Sequence, residues 1–99
     1  MARFSVYLNP EGNGYLLDVQ AEIMRQLNTR VVVPLMPLGK APQPATRLNP
    51  LFVIEAVEHT MVTQYLAAVP ISILKRETMN LAERRDDIVN AIDLLLQGS

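Results

Sequence analysis

Arg30-Val31-Val32-Val33-Pro34-Leu35-Met36 is the run whose reading decides the fold. It is β-branched and apolar without polar alternation, which suits a strand buried on both faces. Proline has no N–H for a ladder, so Pro34 implies an edge position or a bulge. On the N-terminal side, Arg3 to Leu8 alternates, with Phe4, Val6 and Leu8 facing one way and Arg3, Ser5 and Tyr7 the other. That is a half-buried strand. Asn9-Pro10-Glu11-Gly12-Asn13-Gly14 is dense in turn residues and leads to a second strand, Tyr15 to Gln20, so the two form an antiparallel hairpin. Propensity leaves Ala21 to Asn28 open between a helical turn and a wide connection.

On the C-terminal side, Pro37 to Pro50 holds four of the seven prolines, with Gly39, Lys40 and Arg47, and reads as a loop, the chain's main candidate for conformational variability. Leu51 to Val57 and Thr60 to Tyr65 suggest a hairpin turning at Glu58-His59, and Val69 to Leu74 a further strand with Pro70 near its start. The period then changes. Asn80-Leu81-Ala82-Glu83 matches a capping box, and Ile88, Ala91, Ile92 and Leu95 follow at helical spacing, widened by Val89 and Leu96. The pattern predicts a helix from about Leu81 to Leu96 that must pack on the sheet. Short strands, short turns and one closing helix give a mainly β, α+β fold: a compact antiparallel sheet or partly closed barrel.

Composition narrows the function. The chain has 99 residues, 49% of them hydrophobic, and a formal net charge of −1. That length suits a single domain over residues 1–99, and the apolar fraction is too high for disorder. Cysteine is absent, which removes disulfides, thiolate metal sites and cysteine nucleophiles. Without basic excess there is little counterion release to gain on DNA, which argues against a free-standing nucleic-acid binder. The N-terminus shows no signal-peptide pattern, and the apolar runs fall far short of the roughly 18 residues of a membrane span. A cytoplasmic protein is the expectation.

Catalytic equipment is sparse. His59, the one histidine, falls in the expected turn beside Glu58 and reads as a solvated surface residue. No spacing of histidines and carboxylates suits zinc. Asp86 and Asp87 diverge by about 100° on a helix and, with Arg84 and Arg85, read as a solvated face matched to the helix dipole. Gly12 and Gly14 precede no helix, so they form no phosphate loop. An enzyme would have to be assembled from distant residues such as Asp18, Arg30 and Thr63. No cofactor is expected. Apolar residues are in surplus along the helix stripe, Val31 to Leu38 and Leu51 to Val57, and a homodimer is the sharper reading of that surplus.

Four segments in order resemble one family: Asp18-Val19-Gln20, Thr29-Arg30-Val31-Val32-Val33-Pro34-Leu35, Ala68-Val69-Pro70-Ile71-Ser72-Ile73-Leu74, and Arg85-Asp86-Asp87-Ile88-Val89-Asn90-Ala91-Ile92-Asp93-Leu94-Leu95. The chain resembles the CcdB toxins of bacterial toxin–antitoxin pairs over essentially its whole length, Phe4 to Gly98. The resemblance implies an SH3-like small antiparallel barrel with a C-terminal helix, the CcdB/MazF-like toxin fold, and an obligate homodimer. It further implies a protein that binds the A subunit of DNA gyrase, traps the complex with cleaved DNA, and is displaced by a CcdA-like antitoxin. Such a protein does no bond chemistry.

Carried over by that resemblance, the gyrase contacts fall on Ile23 and Met24, and on Asp93, Leu96, Gln97, Gly98 and Ser99. Two positions depart from the family pattern. The best-known family ending is Trp-Gly-Ile where this chain has Gln97-Gly98-Ser99, and Asp93 stands where a neutral asparagine is typical. Losing an aromatic anchor and adding a charge should each weaken docking by about 1–3 kcal/mol. Two other readings fit these residues: a dimer that binds antitoxin but is non-toxic or has another target, and a MazF-like endoribonuclease on the same broad fold. For the endoribonuclease the sequence offers neither a basic groove nor a positioned acid–base set.

Overall fold

The computed structural model describes residues 2–98, and its longest strand runs through the valine-rich segment. In chain order the strands are β1 (Ser5–Leu8), β2 (Tyr15–Asp18), β3 (Thr29–Pro37), β4 (Leu51–Ile54), β5 (Val57–Met61), β6 (Ala67–Pro70) and β7 (Glu77–Asn80), followed by one α-helix, α1 (Arg85–Gln97). Among the described residues they form one antiparallel sheet in the order β4-β5-β3-β2-β1-β7, with β6 also paired to β3. The sheet curls into a half-barrel. Ile88 and Ala91 of α1 are buried in a core with Val6, Leu17, Val33, Leu35, Phe52 and Met61. Burying an isoleucine of this kind stabilises the fold by about 1.5–3 kcal/mol.

Strand β3 is covered on both faces, as its composition demands. Val33 and Leu35 point to the helix-side core, while Val32 joins Tyr7, Leu16 and Leu74 on the other side. Pro34, however, lies in a central strand, opposite Leu16 of β2, and not at an edge. Its carbonyl accepts from Val62 N–H at 2.9 Å, on the edge that β5 and β6 share. There β6 pairs up to Val32 and β5 starts at Leu35. A residue's N–H and C=O point the same way in a strand, so the missing donor falls in the gap between two partners and no rung is lost.

Other boundaries shift for local reasons. The β4–β5 hairpin turns at Glu55-Ala56, not at Glu58-His59, and both turn residues have positive φ, 53° and 65°. A two-residue hairpin needs that mirror-image geometry, and here it is imposed on residues other than glycine or asparagine. His59 is therefore inside β5 and buried, not solvated in a turn. Thr63–Tyr65 forms a single 3₁₀ turn, and the strand expected over Val69 to Leu74 ends at Pro70, with another such turn over Ile71–Ile73. Strand β1 is buried on both faces through Tyr7, while Leu8 is exposed instead of continuing the Phe4–Val6 face.

The helix begins later than its capping pattern suggests. Asn80 Oδ1 accepts from Ala82 N–H at 2.8 Å, but this bond leads into a 3₁₀ turn over Ala82–Arg84 whose N-cap is Leu81, and α1 starts only at Arg85. Asn80 also donates to Arg3 O at 3.0 Å, tying the helix entry to the first strand. The proline-rich segment is anchored by buried Asn49, which donates to Met61 O at 3.0 Å and accepts from Ala45 N–H at 2.9 Å. Thr63 is spent on the same loop, donating to Leu48 O.

Candidate functional site

The stretch from Ala21 to Thr29, which leads from β2 into the first residue of β3, is exposed throughout, whereas Gln20 and Arg30 on either side of it are buried. It contains one 3₁₀ turn, Glu22–Met24, closed by Met24 N–H to Ala21 O at 2.9 Å and Arg25 N–H to Glu22 O at 3.0 Å. Ile23 stands 84% exposed at its apex, flanked by Met24 and Leu27, each about half exposed. Apolar side chains in so open a loop contribute nothing to the core.

Beneath the turn lies a polar foundation. Arg30 and Asp18 are both 0% exposed, with Arg30 Nε at 2.8 Å and Nη2 at 2.7 Å from Asp18 Oδ2. Two nitrogens converge on one oxygen, so only Nε is well aligned as a donor. Nη1 meets no acceptor among the described residues. Burial pushes the Asp18 carboxyl above its ordinary value, against the opposing pull of Arg30 and the Gln20 N–H. Tyr7 lies on the same side, its hydroxyl pushed up by burial and then by Glu77 and Asp18. Asp18 and Arg30 are thus brought together, but as a closed ion pair, with Thr63 engaged elsewhere.

The second patch is the end of α1. Ile88 and Ala91 fix the helix to the core, and the stripe then runs out into solvent at Leu95 and at Leu96, which is 68% exposed. Gly98 ends the helix in the left-handed conformation, φ 79°, its N–H donating to Leu94 O at 2.9 Å. Only glycine adopts that geometry without strain, so Gly98 has a structural reason to be there. Gln97 is exposed and Asp93 half-buried, the latter without an ion-pair partner among the described residues. Ser99 lies outside the described residues.

The remaining sequence candidates are structural in place. His59 packs edge-on against Tyr15, ring centroids 5.1 Å apart, with Nδ1 at 2.8 Å from Val57 O. Asp87 pairs with Arg84 at 2.9 Å on the exposed helix entry, and Asp86 is 3.9 Å from Arg85. No group of three or more metal-ligating side chains comes together among the described residues. No helix among them is long and apolar enough to cross a membrane.

Ile23, Met24, Leu96, Gln97 and Gly98 are thus all at the surface, in two groups that no hydrogen bond or ion pair joins among the described residues. Leu27 and Leu95 extend the two patches; Leu95 is read from the sequence only as part of the helix stripe, and Leu27 escaped that reading. Leu27 had a signal, being an apolar residue four positions beyond Ile23 in a polar stretch. The buried Gln20–Asp18–Arg30 set had none, since strand residues of this type are ordinarily exposed.

The curled sheet and the single closing helix agree with one comparison. The family model described as CcdB protein matches residues 3–98. The chain therefore belongs to the CcdB family, the toxins of toxin–antitoxin pairs.

Proposed function

We propose that this chain is the toxin of a type II toxin–antitoxin system that binds the A subunit of DNA gyrase and holds the enzyme on cleaved DNA. The observation that carries this reading is the exposure of Ile23, Met24 and Leu96, apolar side chains at positions onto which the family resemblance carries gyrase contacts. Large apolar side chains left in water gain free energy when a partner covers them. The action is differential binding: a ligand that prefers the DNA-cleaved state of gyrase raises that state's population without making or breaking bonds. The toxin works as a cytoplasmic homodimer, and a CcdA-like antitoxin competes for it. Gln97 in place of an aromatic anchor, and the charge of Asp93, make this docking weaker than the family pattern implies.

Surface-binding kinetics with immobilised gyrase A subunit test the assignment. Ile23→Asp and Leu96→Asp should each weaken binding by at least roughly tenfold, because a charge is then buried against an apolar partner. Wild-type affinity in both variants would place the contact elsewhere.

A further inference from the structure

We propose that Gln20 is a positioning residue that locks the Ile23–Met24 turn in its binding conformation, with the buried Asp18–Arg30 pair as its fixed base. The inference rests on the gyrase reading of Ile23 and Met24, and it assigns the device that keeps that surface in shape. Strand β2 ends at Asp18, opposite Val32, and one more backbone bond, Val19 N–H to Val31 O at 3.0 Å, continues the pairing with β3. Beyond that point the Gln20 side-chain amide takes over. Its Oε1 accepts from Val31 N–H at 3.0 Å, and its Nε2 donates to Met24 O at 3.0 Å. One side chain therefore joins the start of the central strand to the end of the exposed turn.

Gln20 is itself held. Its N–H donates to Asp18 Oδ1 at 3.0 Å, while the other carboxylate oxygen takes Arg30 Nε at 2.8 Å. The hydrogen-bonded path runs Arg30, Asp18, Gln20, Met24, and the first three are buried. A lone 3₁₀ turn whose apolar side chains face water has little stability of its own. The second tie, Arg3 N–H to Glu22 Oε1 at 2.6 Å, is exposed to solvent competition. Locking the turn from below removes ordering that a partner would otherwise have to impose on binding.

Gln20→Glu separates this role from general stabilisation. It keeps an acceptor for Val31 N–H and loses the donor to Met24 O. Gln20→Met, similar in length and without either bond, is measured beside it and serves if the buried charge prevents folding. Thr63→Ala, which removes one tie to the proline-rich loop, the bond to Leu48 O, supplies a destabilised control. Amide exchange is read at Arg25 and Leu27 in the turn and at Leu17 and Val33 in the sheet, together with dissociation from gyrase A subunit. The lock predicts roughly tenfold faster exchange at Arg25 and Leu27 with Leu17 and Val33 unchanged, and faster dissociation by a similar factor. The Thr63 control should show neither. Unchanged turn amides, or equal acceleration in turn and sheet, overturns the proposal. If wild-type protein does not bind gyrase at all, the gyrase reading fails, and the exchange pattern still decides whether Gln20 holds the turn.

Discussion

The turn that carries Ile23 and the helix end that carries Leu96 both offer apolar side chains to solvent, but they are built in opposite ways. The turn is exposed along its whole length and is held from beneath by buried polar groups, Gln20, Asp18 and Arg30. The helix end continues an apolar stripe that is already anchored at Ile88 and Ala91, and a backbone cap at Gly98 finishes it. Directional bonds fix a loop with no core of its own, whereas dispersion and burial fix a helix by one face.

Removing the polar support is the strongest way to break the comparison. Asp18→Ala leaves the Arg30 charge buried without its carboxylate and should cost about 3–5 kcal/mol in urea unfolding. Replacing both partners, Asp18→Leu with Arg30→Met, should recover much of that loss, because an apolar pair leaves no stranded charge. A single variant within about 0.5 kcal/mol of wild type would show that the pair is no foundation.

The apolar support has its own break. Ile88→Ala opens a cavity beneath α1 and should cost about 2–5 kcal/mol. Exchange at Arg25 and Leu27 should then change only through global unfolding, and a selective loss of turn protection would show that the two supports are one. Gln97→Trp sharpens the helix end alone: gyrase affinity should rise by about 1–3 kcal/mol, measured by surface-binding kinetics, with stability unchanged. No gain would remove Gln97 from the contact.

The smallest effect is in the pH profile of the polar side. The Tyr7 hydroxyl is held above its ordinary value by burial and by Glu77 and Asp18. Its contribution to stability is complete below about pH 10, where the unfolded chain ionises, and is lost as pH rises through the higher folded value. Tyr7→Phe should therefore flatten the fall in urea midpoint above about pH 10. An unchanged slope would place the titration in another group.

The apolar elements were the legible ones. The Val31–Val33 run announced a strand covered on both faces, and the spacing of Ile88, Ala91 and Ile92 announced the closing helix. The misplaced features are those where tertiary context overrides local preference. Glu55 and Ala56 adopt positive φ without the residues that advertise it, and Pro34 escapes the edge rule because its strand changes partners there. Strand β7 carries Glu77, Thr78 and Asn80, with no alternation to mark it. The two exposed patches came from family resemblance, and their exposure became visible only in the fold. Nothing in the residue types of Asp18, Gln20 and Arg30 foretold burial, because pairing is what permits it.

Gyrase poisoning is tested most directly by incubating purified gyrase and supercoiled DNA with micromolar wild-type protein, and then denaturing the enzyme. Accumulation of linear DNA covalently linked to gyrase is the predicted result, strongly reduced in Ile23→Asp and Leu96→Asp. DNA that stays supercoiled or relaxed, with no linear protein-linked product, would contradict the account.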